Sequence, residues 1–242
     1  MQARIMKTIL NKVFASIQRC IICQRPTYQV RGICVYCSKL LPWLKDACHM
    51  CALPLKQTNR INLCRQCLVS PILKYCDYSR FCFKYSMPIS YFIKDWKFNK
   101  QLKYQRLLED WLSSHIIASV PTDKFPDAVL AVPCTRERMR QRGFNQALEL
   151  SKGVAKKLRL PRIDSYVIRC HQHSTQAQSS VDQRRENLRN AFKVITTKPL
   201  PQSVALIDDV LTTGATLESL AYTLKQHGVY HIAYWGLARV IK

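Results

Sequence analysis

The sequence predicts an α/β protein with a mainly parallel sheet, preceded by a small cysteine-organised module. Three observations carry this. Strand-sized apolar runs alternate with amphipathic segments after residue 75, two adjacent acids stand between one such run and a helix, and four C-x-x-C pairs crowd the stretch before it. The chain has 242 residues and 48% hydrophobic content, enough for one α/β domain and a small extra module. Three segments are therefore expected: 1–19, 20–75 and 76–242.

The first segment reads as an amphipathic helix. Ile5, Ile9, Val13 and Ile17 recur every four residues, with Arg4, Lys7, Lys12 and Arg19 between them. A secretory signal needs an uninterrupted apolar centre and a small-residue cleavage site, and this stretch has neither. No apolar run approaches the roughly 18 residues of a membrane span.

In the second segment Cys20 pairs with Cys23, Cys34 with Cys37, Cys48 with Cys51, and Cys64 with Cys67. A C-x-x-C turn presents two thiolates to one cation, and two turns supply the four soft ligands of a tetrahedral zinc. Two zinc ions are expected. Spacing leaves open whether neighbouring pairs share a metal or the pairs interleave. A disulfide framework would need an oxidising compartment, and a redox C-x-x-C would be expected once rather than four times. Too few apolar residues lie here to fold the segment without metal. Cys76, Cys82, Cys134 and Cys170 lack pair spacing and read as packing or incidental thiols.

The third segment supplies the sheet. Residues 89–98 (ISYFIKDWKF) lead into a helix over 107–117. Residues 127–132 (DAVLAV) form a strand stopped by Pro133, 145–158 a helix, and 166–168 a short strand. Residues 203–207 form a strand, 216–227 a helix closed by Gly228, and 232–238 a last strand. Such an order implies right-handed crossovers and parallel pairing.

Ligands of open α/β sheets sit at the carboxyl ends of the strands. The run VALIDDVLTTGAT places Asp208 and Asp209 at such an end, followed by Thr212, Thr213, Gly214, Ala215 and Thr216. Glycine permits close backbone approach, and the amides at the helix start with the threonine hydroxyls cradle a phosphate. Adjacent carboxylates beside a phosphate repel it unless they face something else. The neighbouring hydroxyls of a ribose, with Mg2+ bridging to a diphosphate, satisfy them. The loop therefore predicts a 5-phosphoribosyl ligand, phosphoribosyl diphosphate (PRPP).

An apolar strand, two acids and T-T-G-x-T resemble the signature of type I phosphoribosyltransferases. Lys97 with Phe98, the run Arg142-Gly143-Phe144-Asn145-Gln146, the segment 175–187 with Gln178 and Arg184, and the N-terminal C-x-x-C pairs together resemble the ComF family of competence proteins. The likeness runs from about Cys20 to the C-terminus. It implies a cytoplasmic protein of natural transformation that handles incoming single-stranded DNA, joins a zinc module to a phosphoribosyltransferase fold, and works with a competence helicase or another DNA-uptake protein. By this resemblance Asp208 and Asp209 hold the ribose and residues 212–216 the 5-phosphate. Pro133, Cys134 and Thr135 form the diphosphate turn, Arg142 adds positive charge to it, and residues 171–185 correspond to a mobile closing loop. Asn190 departs from the glycine common before Ala-Phe. The likeness leaves turnover, and any acceptor for a transferred phosphoribosyl group, undetermined.

Charge agrees with a nucleic-acid partner. Thirty-eight Lys and Arg against fifteen acids give +23, spread over both halves of the chain. Such a field attracts polyanions over a Debye length of about 8–10 Å. Lys94, Lys97, Lys100, Lys103 and Arg106 recur every three positions with Trp96, Phe98 and Tyr104 between them. Cations that track phosphates and aromatic faces that stack on bases hold single strands without reading sequence. The opposing reading is a solvated helix face whose aromatics point into the core. A second cluster, Arg136, Arg138, Arg140 and Arg142, stands beside the diphosphate turn and serves either PRPP or DNA.

Overall fold

The computed structural model describes residues 18–28, 32–55, 61–99, 103–170 and 191–241. The expected N-terminal helix before residue 18, the closing loop, Lys100 and Asn190 lie outside these. One compact unit ends at Pro42 and a second begins at Trp43.

In the first unit a two-stranded antiparallel hairpin, β1 (Gln18–Arg19) and β2 (Pro26–Thr27), carries Cys20 and Cys23 on its turn. A single-turn helix, α1 (Val35–Lys39), carries the other two cysteines. Cys34 caps it, its sulfur accepting the Cys37 amide at 3.4 Å. The second unit opens with the same plan. Cys48 and Cys51 occupy a turn, and Cys64 caps α2 (Arg65–Val69) by accepting the Cys67 amide, again at 3.4 Å. In both turns the residue after the second cysteine, Gln24 or Ala52, has positive φ, and its amide returns to the carbonyl of the first cysteine.

The body is a four-stranded, all-parallel sheet in the order β3 (Tyr78–Lys84), β8 (His231–Arg239), β7 (Ser203–Leu211), β4 (Ala128–Ala131). Its central strands are buried almost end to end, as expected of a parallel sheet covered by helices. Helix α3 (Ile89–Asn99) buries Ile89, Phe92, Ile93 and Trp96, and α4 (Lys103–Ser119) buries Leu107, Leu108, Trp111, Leu112 and Ile116. Both sets recur at three- and four-residue spacing. A short helix α5 (Arg136–Arg142) precedes α6 (Gln146–Leu158), which packs on β4 and β7, while α4 packs on β3, β8 and α6. An antiparallel pair, β5 (Val167–Arg169) with β6 (Phe192–Val194), lies beside α7 (Ala215–Gln226).

Two differences from the sequence reading matter. The acids were expected where a strand ends at Ile207, yet β7 continues to Leu211. It does so because β8 keeps pairing with it as far as Leu211 opposite Arg239, whereas β4 stops at Ala131 opposite Ile207. Asp208 and Asp209 thus stand in a strand that has lost its neighbour on one side. Second, Cys48, Cys51 and Cys67 belong to the same buried core as Leu73, Phe81, Leu130 and Leu206. Residues 43–75, grouped by composition with the cysteine module, share one compact unit with the sheet.

Candidate functional site

The eight paired cysteines form two clusters, Cys20, Cys23, Cys34 and Cys37 in one and Cys48, Cys51, Cys64 and Cys67 in the other, each with its sulfurs within 4.8 Å of one another. Neighbouring pairs therefore share a site, which the spacing had left open. At Zn–S of about 2.3 Å a tetrahedron puts its sulfurs about 3.8 Å apart. Cys23 and Cys34 stand at 3.7 Å, and Cys51 and Cys64 at 3.6 Å. Both clusters fit a structural zinc.

At the carboxyl ends of β4 and β7 lies a cavity of about 310 Å3. It gathers Pro133, Cys134 and Arg142 with Asp208, Asp209, Thr212, Thr213, Gly214, Ala215 and Thr216, and adds Lys97, Arg138 and Arg169. Where β7 ends, the chain turns through Gly214, whose φ of +86° serves as the N-cap of α7. Side chains other than glycine resist that conformation. The hydroxyl of Thr213 accepts the Ala215 amide at 3.4 Å, and Ala215, Thr216 and Leu217, the first turn of α7, line the cavity; amides at a helix start have no intrahelical carbonyl to bond. Residues 212–216 thus form the loop at which the sequence predicts a phosphate.

Across from it the Val132–Pro133 turn is fixed by Asn145, which donates to the Val132 carbonyl at 3.1 Å while its oxygen caps α6. Gly143 closes α5 at φ +80°, and Phe144 packs on Trp96 with centroids 5.7 Å apart. Arg142 donates to the Gln146 amide oxygen at 3.1 Å and covers the Phe98 ring at 5.3 Å. The run R-G-F-N-Q is thus one fitting, joining α3 to the turn. Thr135 is outside the cavity lining, and its hydroxyl caps α5 by accepting the Arg138 amide at 3.2 Å.

Both acids line the cavity. Asp209 is buried, and its carboxylate holds the Lys97 ammonium at 2.6 Å. Burial first, and then the Asp209 carboxylate beside it, push the Asp208 carboxyl up to about 7 against the pull of Lys97. The folded chain therefore keeps a proton on Asp208 that the unfolded chain has already released, so this group costs stability as pH rises from the ordinary carboxylate range through 7. Asp208→Asn is expected to raise the melting temperature more at pH 8 than at pH 5. Equal shifts in scanning calorimetry at both pH values would refute the assignment.

The basic stripe expected from the sequence is not one face. On a helix a spacing of three drifts about 60° per step, so residues so spaced wind around the axis, and here α3 carries Lys94 and Lys97 while α4 carries Lys103 and Arg106. Lys97 turns into the cavity, Trp96 and Tyr104 are core residues, and Tyr104 stacks on Phe92 with centroids 5.1 Å apart. Lys94 and Arg106 are exposed, as are Arg136, Arg138 and Arg140 of α5. Lys103 opens α4, and its side chain is outside the described residues. Arg169, at the end of β5, carries no sequence signal, because only the β5–β6 pairing brings it to the cavity.

Among the described residues no helix is long and apolar enough to cross a membrane. Residues 9–68 match the double zinc ribbon domain family. The chain is 33% identical over 223 residues to Competence protein F of Haemophilus influenzae, covering 85% of this chain and 96% of that protein. It is 28% identical over 233 residues to DNA utilization protein YhgH of Escherichia coli, covering 92% and 97%. Against YhgH of Salmonella typhi the identity is 27% over 236 residues, with the same coverage of 92% and 97%.

Proposed function

Since the chain belongs to the ComF family of competence proteins, we propose that it serves DNA uptake in the cytoplasm, handling single-stranded DNA with a PRPP site as its ligand-responsive element. One observation supports the ligand above others: a single cavity collects the acidic pair, the phosphate cradle, the Pro133–Cys134 turn and the cations of Lys97, Arg138, Arg142 and Arg169. In this reading residues 212–216 hold the 5-phosphate and the acids accept from the ribose hydroxyls. Mg2+ accompanies the diphosphate near the turn, where Arg142 and Arg138 offset its charge. Lys97, paired with Asp209 at 2.6 Å, is released to the diphosphate when the ribose hydroxyls engage the acids. The names of the relatives, a competence protein and a DNA utilization protein, support the DNA role.

A second reading is turnover, with a nucleophile joined to C1 of the ribose and diphosphate leaving. The observation favouring it is an adjoining cavity of about 580 Å3 that shares Pro133, Cys134, Asn145 and Arg169 and is lined also by Met139, Leu148 and Val167. It is room for an acceptor. Titration of PRPP and Mg2+ with and without single-stranded DNA, following diphosphate release and DNA affinity together, separates the two. Coupled affinity without release supports the ligand role, release without DNA supports the transferase, and neither effect refutes both.

The exposed cations carry the DNA contact in this proposal. Lys94→Glu with Arg106→Glu is expected to weaken binding of an oligonucleotide and reduce the slope of log affinity against log salt by about one to two. An unchanged slope in fluorescence anisotropy removes these residues from the interface.

A further inference from the structure

The second cysteine cluster and the phosphate cradle are joined by side chains that the cavity itself does not contain. Arg239 ends β8 and is only 5% exposed. Its Nε donates to the carbonyl of Cys51, one of the four thiolate residues, at 2.9 Å. Its Nη1 donates to the carbonyls of Leu211 at 3.0 Å and of Thr212, the first residue of the cradle. One planar guanidinium thereby ties a metal-ligand turn to the phosphate loop, which a rotatable ammonium cannot do in the same geometry.

Two further contacts run the same way. Leu73, buried just beyond α2, fills the space above Gly214, where an added Cβ would stand 2.4 Å from its Cδ2. Glu218, in the first turn of α7, accepts the amides of Lys74 at 2.7 Å and Tyr75 at 3.4 Å, and the Tyr234 hydroxyl at 2.9 Å. The cradle therefore rests on a floor made from residues 51 and 73–75. The stretch 48–75 that supplies this floor has little regular structure: among its described residues it holds one five-residue helix, α2, and beyond a few turn hydrogen bonds its order rests on the thiolate cluster and the packing around it.

We propose that zinc at the Cys48, Cys51, Cys64 and Cys67 cluster sets the shape of the 212–216 cradle, and so its affinity for a phosphoribosyl ligand, through Arg239 as the positioning residue. The ligand half of this statement rests on the PRPP reading above. The loop half does not. Loss of the metal frees the Cys51 turn, and Arg239 then loses its anchor on one side while still holding two loop carbonyls on the other. The consequence is a loosened phosphate loop in an otherwise folded sheet, which would make ligand binding answer to zinc supply.

The test uses the full chain loaded with zinc. Arg239→Lys, which keeps charge and approximate size, is compared with Cys64→Ser in the second cluster and Cys23→Ser in the first. Hydrogen exchange is read on a peptide spanning residues 207–217 and, as a folding control, on the centre of β8. PRPP affinity in Mg2+ is read by calorimetry. In Arg239→Lys and Cys64→Ser the loop peptide is expected to exchange about tenfold faster while β8 stays protected, with PRPP affinity falling about tenfold. Unchanged loop exchange in both variants overturns the proposal, and so does an equal effect from Cys23→Ser. If Cys64→Ser also exposes β8, the decision falls to Arg239→Lys, whose zinc content should match that of the unaltered chain. Altered loop exchange in a protein that never binds PRPP upholds the coupling and overturns the ligand assignment instead.

Discussion

Asp208→Ala combined with Asp209→Ala is expected to abolish PRPP binding, raising the dissociation constant at least about a hundredfold. Hydrogen bonds to a carboxylate contribute about 1.5–3 kcal/mol each, and removing two from a ribose diol costs about 3–6 kcal/mol. At about 1.4 kcal/mol per tenfold this is a factor of about 10² to 10⁴. Residues 212–216, proposed to hold the phosphate, are untouched by the double substitution, while two repelling carboxylates are gone and Lys97 has lost its partner, so inorganic phosphate should bind at least as tightly as before. That pairing of results is diagnostic. Loss of both ligands would point to a disordered loop, and retention of PRPP would sink the ribose assignment. Folding should survive, because Asp208 already holds its proton at a cost and neither acid anchors a cysteine cluster. Zinc content should remain that of two four-thiolate sites.

Gly236→Ala is expected to be the most damaging single methyl group in the sheet. Gly236 pairs with Phe81 on one side and Asp208 on the other, and an added Cβ would lie 2.4 Å from Phe81 Cε1 and 2.6 Å from the Asp208 carbonyl oxygen. A ring can swing away; a carbonyl in a parallel ladder cannot. Overpacking of this kind costs about 1–3 kcal/mol, and with a displaced β7 the upper end applies. For a chain of this size the melting temperature should fall by about 6–12 °C. Phe81→Leu on the same background should restore only part of the loss, since it relieves the ring and leaves the carbonyl. A melting temperature within about 2 °C of the unaltered chain would mean that the strands separate without penalty and that Gly236 does not fix the acid-bearing strand. The same displacement reaches Asp208, so PRPP affinity should drop alongside stability.

Both predictions concern residues whose importance was legible to different degrees. The acidic pair and T-T-G-A-T stood out because carboxylates next to a phosphate-type turn are chemically unusual, and a strand-to-helix context is a local property. Gly236 did not, because its constraint comes from neighbours 155 and 28 positions away in sequence. R-G-F-N-Q was visible as a run, while its work as a fitting between Trp96, Phe98 and the Val132 carbonyl required the packed helices. Lys97 shows the limit most clearly. Its spacing from Lys94 and Lys100 suited a DNA stripe, and the turn of α3 instead delivers its ammonium to Asp209.

What the sequence determined by itself is what short-range chemistry determines. The alternation of apolar and amphipathic segments specified a parallel α/β sheet, the C-x-x-C spacing specified two tetrathiolate sites, and Gly214 specified the strand-to-helix turn on which the sugar-phosphate proposal rests. The tertiary structure alone decided which cysteine pairs share a site and that the second cluster belongs to the body of the sheet. It alone brought Arg169 and Lys97 to the cavity and joined Arg239 to both the Cys51 turn and the phosphate loop. The reason is physical. Secondary structure and ligand-type motifs follow from neighbours along the chain, whereas the direction of a long cationic side chain depends on which buried carbonyl or carboxylate lies within reach once the strands have set their register.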